Sequence, residues 1–292
     1  MELLGEYRNN YNLSHLTWFK VGGSAEIFFK PLDSSSLADF VAQNQQQRPI
    51  TVLGAGSNII IRDGGIDGVV VKLGQNFTNI ELMPDNQISV GSSCLNFSLA
   101  KFCQIHLITG FEFLSGIPGT IGGGVVMNAG AYNSEFKDII LAIEAIDSRG
   151  NFITIPNEAI GFKYRGNNLP QDLIITKAIF KTAIGDSNMI LDKMNEINKN
   201  RLASQPIKER TGGSTFANPE NHKAWQLIDK AGMRGYKIGG ASISQLHCNF
   251  MINHGNASAR DLEDLGDLVK KKVFENSGIS LKWEIKRIGK YA

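Results

Sequence analysis

Eighteen residues from Ser115 to Tyr132, SGIPGTIGGGVVMNAGAY, hold Gly116, Gly119, Gly122, Gly123, Gly124 and Gly130 and no charged side chain. Glycine turns without steric cost and leaves its N–H uncovered, and successive uncovered amides form a concavity that takes anions. Pro118 fixes one dihedral of the stretch in advance. The chemistry of such a loop is phosphate binding, and a pyrophosphate-bearing cofactor is its natural guest; a glycine-rich hairpin connection is the alternative. A second uncharged run, GAGSN (Gly54, Ala55, Gly56, Ser57, Asn58), lies about sixty residues upstream. It begins like a dinucleotide fingerprint, but the third glycine is absent and Ile59, Ile60 and Ile61 follow where a helix belongs, so the Rossmann reading fails its context. Two such runs in one chain argue for a single extended dinucleotide.

These loops need strands and helices to hold them. Residues 19–30 read as a strand interrupted by a Gly-Gly turn, and Asp33 or Ser34 caps a helix through Ala42. Strands at 50–53 and 59–61 flank GAGSN, and 69–73 completes a small α/β unit. From Gln87 the pattern is strand, helix (95–106), glycine loop, then strands 139–147 and 152–155 joined as a hairpin by Ser148-Arg149-Gly150-Asn151. Asn157 is placed to cap a helical turn, and FKYRGNN (162–168) is a polar loop carrying Tyr164 and Arg165. Another strand is expected at 172–182. Connections this short give antiparallel pairing. A charged amphipathic helix covers 189–201, and the polar, proline-containing 204–210 marks a boundary. Beyond it come a helix through Trp225 and Ile228, strands at 241–244 and 249–253, and a helix opened by a Ser258/Asp261 capping box and stopped by Gly278. The lysine run 270–272 reads as a solvated helix end. Residues 279–289, ISLKWEIKRIG, read as one strand, with Trp283 and Ile285 on one face and Lys282, Glu284 and Lys286 on the other.

Composition limits the function classes. At 292 residues the chain is long enough for two or three domains. Thirty basic and 28 acidic residues leave a net charge of +2, which gives no field for a nucleic-acid backbone. Cys94, Cys103 and Cys248 are odd in number, form no CxxC and sit among apolar neighbours, so reduced thiols and a reducing compartment are expected. MELLGEYRNN shows no secretory pattern and no apolar run reaches about 18 residues. A cytoplasmic protein without membrane or nucleic-acid partners is the expectation. His106, His222 and His254 receive no role, and no spacing of His, Cys and acids suggests a metal site.

Seven ordered blocks, TWFKVGG, LGAGSNIIIRDGG, SGIPGTIGGGVVMNAGAY, KYRGN, GGSTFANP, AWQLIDKAGMRGYKIGGASIS and LKWEIKRIG, make the sequence resemble the UDP-N-acetylenolpyruvoylglucosamine reductase family through nearly its whole length. The resemblance implies an α+β protein with an FAD-binding fold of the vanillyl-alcohol-oxidase type and a C-terminal α/β substrate domain. FAD-binding subdomains are expected at 1–74 and 75–203, with 279–292 packing on the latter, and the substrate domain at 204–278. It implies FAD as cofactor and NADPH as hydride-donating cosubstrate, with a UDP-sugar enolpyruvyl ether following NADPH into the same cleft to give UDP-N-acetylmuramate for peptidoglycan synthesis. A monomer is expected. Carried over by motif, Arg165, Ser214 and Glu284 match the catalytic positions, and Tyr164, Arg201, Asn218 and His247 the substrate contacts. Gly54, Ala55, Gly56, Ser57, Asn58, Ser115, Gly116, Pro118, Gly119, Thr120, Gly122, Gly123, Asn128, Ala129 and Gly130 fall in the cofactor blocks.

Elementary chemistry suits these roles. Hydride addition to an enol ether next to a carboxylate builds enolate-like charge, which a permanently protonated guanidinium such as Arg165 stabilises bidentately. Glu284 either orients the arginine or, protonated, donates to the enolate. Ser214 is a weak acid, but an enolate is a strong base, which brings proton donation within reach. Two departures stand out: Asn167 where the family has Ser, and Ala217 where it has Lys. Ser214 follows Arg165 by 49 positions, the spacing of the shorter family type without an inserted substrate loop. A flavin oxidase for another substrate, which would not need Ser214 and Glu284, and a non-catalytic flavin-binding module are the competing readings.

Overall fold

A computed structural model describes residues 4–44 and 48–292. The chain forms two compact units and passes between them repeatedly: the first contains Ile27–Ala55 and Gly68–Lys199 with the residues up to Asn9, the second Asn10–Glu26, Gly56–Asp67 and Asn200–Ala292.

The first unit is built on a five-stranded sheet in the order Phe152–Pro156, Ile140–Ile146, Ile174–Lys181, Gln87–Gly91, Ile80–Met83. Every neighbouring pair is antiparallel, as the short connections require. Ile88, Val90, Ile143 and Phe180 from the sheet share a core with Leu99 and Cys103 of the helix Asn96–Ile105. A smaller core forms where Leu37, Phe40 and Val41 of the helix Ser34–Gln43 meet Phe29, Val69 and Val71. Asp33 caps that helix as expected: its Oδ1 accepts from Ser36 N at 2.8 Å, and Ser36 Oγ accepts from Asp33 N at 2.9 Å. The strand Gly5–Asn12 is absent from the sequence expectation. It ends its four-stranded sheet, and an edge tolerates the polar side chains that concealed it.

Three local expectations change. Only Ser24–Pro31 of residues 19–30 is strand; Phe19 and Val21 are buried in the core of the second unit. Asn157 is the first residue of its helical turn and not the cap, because its amide donates to the carbonyls of Lys137 (2.9 Å) and Ile140 (2.8 Å). The terminal segment is two strands: Lys282–Trp283 pairs antiparallel with Phe216–Ala217, and Lys286–Ile288 pairs parallel with Ile59–Ile61. The break lies at Glu284 and Ile285, whose N–H groups both turn to the Thr215 carbonyl, at 2.9 and 3.4 Å.

In the second unit the sheet Lys237–Ile238, Ala241–Ile243, Met251–Asn253 lies in one apolar cluster with the helices Ala224–Lys230 and Ala259–Ser277. The longer helix has the expected Ser258/Asp261 box and ends at Gly278, in the left-handed region at φ +71°. Asp63 adds a second cap by accepting from Ala259 N (3.0 Å) and Arg260 N (3.1 Å).

Candidate active site

The glycine stretch is half helix, which corrects the expectation of a continuous loop. A 3₁₀ turn covers Glu112–Gly116, and Ile121–Met127 is α-helical between Thr120 at the N-cap and Asn128 in the left-handed region at the C-cap. Two of the three glycines of this helix are set by what lies against them. A Cβ on Gly124 would stand 2.2 Å from the buried Phe136 ring, and one on Gly122 3.0 Å from Ser92 Cβ. Close packing, and not turning, is what Gly124 supplies. Gly124→Ala is therefore expected to destabilise the protein by about 1–3 kcal/mol through overpacking, read as a lowered urea midpoint at unchanged slope.

The part that remains loop keeps its amides. The N–H groups of Gly119 and Thr120, like those of Gly54 and Ala55, find no acceptor among the described residues. The two runs meet in the first unit, where a Cβ on Gly54 would come within 2.9 Å of Thr120 Oγ1. A backbone cradle that a side chain would fill, with spare donors on both walls, fits a pyrophosphate. Lys72, which the sequence reading passed over, donates from Nζ to the Gly54 carbonyl at 2.7 Å; a lone lysine closing the apolar run Val69–Val71 was its only signal. Ser115 Oγ donates to the Glu112 carbonyl at 2.7 Å. The Asn128 side chain is committed to protein: Nδ2 donates to Glu135 and to the Lys163 carbonyl, and Oδ1 accepts from Lys137 N.

Tyr164 and Arg165 form the tip of a tight turn closed by mutual hydrogen bonds between Lys163 and Gly166. Arg165 takes φ +56°, sets its guanidinium 4.9 Å from the Tyr164 ring centroid and donates from Nη2 to the Gly130 carbonyl at 3.1 Å. Asn167, one of the two departures, explains itself here. Its amide bonds the carbonyls of Val125 (3.3 Å) and Val126 (3.0 Å), at the end of the glycine helix, so the turn is bolted to the element that begins at the cofactor loop.

Ser214 and Glu284 come together in the second unit. Gly212 packs on the Phe19 ring, Gly213 takes φ +78°, and Ser214 follows, half-buried and opposite Phe250. Thr215 then offers its carbonyl to Glu284 N, so a backbone hydrogen bond ties Glu284 to the residue that follows Ser214. The Ser214 hydroxyl makes no hydrogen bond among the described residues. Asn58, the last residue of GAGSN, donates to the Glu284 carbonyl (3.4 Å) and accepts from Lys286 N (3.1 Å). In the same unit, the buried Glu263 carboxylate is gripped by Arg62 at 2.9 and 3.0 Å and by Arg287 at 3.4 Å. Those arginines belong to or follow the two paired strands, so the carboxylate holds their register.

The remaining sequence-predicted contacts are placed less centrally. Asn218 Oδ1 accepts from Ala224 N (2.9 Å) at the start of a helix, and Arg201 Nε donates to Gln205 (3.3 Å). His247 Nδ1 accepts from Asn249 N (3.3 Å), which leaves its other ring nitrogen as the proton carrier, and the ring meets Phe250 edge-on at 4.8 Å. Burial pushes this histidine below its ordinary value of 6.5. Its unfolded form therefore gains a proton as pH falls through about 6.5 while the native form resists. Stability is expected to be full above that pH and to fall below it, and His247→Gln should flatten urea midpoints measured between pH 7.5 and pH 5. A cavity of about 570 Å³ in this unit, with Gln205, Lys208, Lys237, Ser242 and His254 in its wall, is not lined by Arg201, Asn218 or His247. Among the described residues no group of three His, Cys, Asp or Glu side chains could hold a metal ion, and no helix is long and apolar enough to cross a membrane.

The fold is α+β with an FAD-binding domain: residues 25–156 match the family described as FAD binding domain, and residues 205–288 match UDP-N-acetylenolpyruvoylglucosamine reductase, C-terminal domain. The UDP-N-acetylenolpyruvoylglucosamine reductase of Rickettsia felis is 73% identical over 98% of this chain and 97% of its own length, and that of Rickettsia prowazekii 70% identical over the same shares. The crystal structure of UDP-N-acetylenolpyruvylglucosamine reductase from Thermus caldophilus matches at a TM-score of 0.84 and 31% identity, covering 98% of this chain and 99% of that one. The chain belongs to the UDP-N-acetylenolpyruvoylglucosamine reductase family.

Proposed function

We propose that the protein reduces the enolpyruvyl group of UDP-N-acetylglucosamine enolpyruvate to UDP-N-acetylmuramate for peptidoglycan synthesis, drawing electrons from NADPH in a ping-pong sequence. The observation that carries this reading is the joining of Ser214 and Glu284 through the Thr215 carbonyl, in a chain of this family. Gly54–Asn58 and Ser115–Thr120 would hold FAD, which when bound supplies the hydride. The chain's own residues do the rest. Arg165 pairs with the substrate carboxylate and stabilises the charge that builds there; Glu284 orients the arginine or, protonated, donates to the enolate; Ser214 Oγ gives its proton to carbon, so that one hydride and one proton saturate the double bond. Solvent restores the hydroxyl proton. Tyr164, Arg201, Asn218 and His247 are assigned to the sugar nucleotide. Residues 1–74 and 75–203 serve the cofactor and 204–278 the substrate, in a cytoplasmic monomer.

The test is anaerobic mixing of purified protein with NADPH, followed by the enolpyruvyl sugar nucleotide. Yellow colour should bleach and then return with UDP-N-acetylmuramate formed. Bleaching that oxygen reverses but the sugar nucleotide does not would instead favour the oxidase.

A further inference from the structure

Lys72 ends the apolar strand Ile66–Val71, and its side chain is half-buried. Its ammonium makes one hydrogen bond, to the Gly54 carbonyl at 2.7 Å, and meets no carboxylate within ion-pair distance among the described residues. The nearest charge acting on it has the same sign: Lys30, whose stem lies over Gly74, adds to burial in lowering the Lys72 pKa. A partly desolvated cation with a second cation beside it is unfavourable unless an anion completes the site. Gly54, which accepts from Lys72, is also where the two runs meet, since a Cβ there would lie 2.9 Å from Thr120 Oγ1, and the amides of Gly54, Ala55, Gly119 and Thr120 find no acceptor among the described residues.

We propose that Lys72 supplies the countercharge to the cofactor's pyrophosphate. Its bond to the Gly54 carbonyl holds the GAGSN run open while the ammonium neutralises one phosphate, a task the amides, which carry only partial charges, perform incompletely. The inference rests on the proposed function, because it takes FAD as the ligand. Thr120 and Gly54 shape the cradle; Lys72 charges it.

The experiment is equilibrium titration of deflavinated protein with FAD, followed by flavin fluorescence, in about 0.05 M and about 0.5 M salt. Lys72→Met should weaken FAD at least about tenfold at low salt, the gap to the parent should narrow at high salt, and Lys72→Arg should bind within about threefold of the parent. A Lys72→Met protein that binds FAD as the parent does overturns the proposal. So does equal weakening at both salt concentrations, or an arginine variant as weak as the methionine one, since either would leave Lys72 as a loop brace without an electrostatic part. If Lys72→Met does not fold, the arginine variant and the salt dependence of the parent decide, and a parental affinity indifferent to salt overturns the proposal. A parent that binds no FAD at either salt sinks the proposed function itself, a different result from a binding parent with an unaffected variant.

Discussion

Ser214→Ala is expected to accept electrons from NADPH at the parental rate and to lose at least about 100-fold in reoxidation by the enolpyruvyl substrate, the range that a positioned proton donor contributes. The two readings of this residue differ in kind. As a turn residue after Gly212 and Gly213 it would contribute at most about 1 kcal/mol to stability and nothing to turnover. As the proton donor it acts after the hydride has moved, so its loss makes that transfer reversible, and deuterium should scramble into recovered substrate with little product. The geometry favours the second reading, since the hydroxyl is half-buried and uncommitted to protein. Ser214→Cys, of similar size and greater acidity, should recover part of the rate. Stopped-flow reoxidation of Ser214→Ala at the parental rate with normal product would take the residue out of the reaction.

Arg165→Lys should likewise spare reduction by NADPH and slow reoxidation by about 100-fold, near 3 kcal/mol. Lysine keeps the charge but loses the planar fork. It also loses the geometry that lets one guanidinium arm bond the Gly130 carbonyl at 3.1 Å while the face rests on Tyr164. Asn167→Ala should move the same half-reaction in the same direction and less steeply, because the turn would lose its anchors on Val125 and Val126 while Arg165 itself remains. Unchanged single-turnover reoxidation in Arg165→Lys would show that the guanidinium does not stabilise the developing charge.

Much of the fold was readable because its signals are local. Asp33, one of two adjacent candidates, is the cap of its helix, and Ser258 with Asp261 three residues on forms the capping box as read. The antiparallel middle sheet followed from connection lengths. What stayed hidden depends on partners far away in sequence. Gly122–Gly124 are poor helix formers, and only Ser92 beside Gly122 and the Phe136 ring beside Gly124 reveal why glycine is needed at those two positions. Glu284 and Ile285 alternate like strand residues, yet a carbonyl some seventy positions earlier captures both amides and breaks the strand. At the site, motif supplied the charged and hydroxyl candidates. It did not supply Lys72, whose meaning lies in its distance to Gly54.

The parallel pairing of Lys286–Ile288 with Ile59–Ile61 also sets a schedule for synthesis. The bond from Arg62 to the Gly289 carbonyl spans 227 positions, and ribosomes add about 5–20 residues per second. A strand of three isoleucines therefore waits roughly ten to fifty seconds for its ladder partner. During that interval it is an apolar edge of the kind that recruits other chains. Nascent protein arrested before residue 286 should accordingly depend on chaperones for solubility, and that dependence should vanish once the last strand has left the exit tunnel.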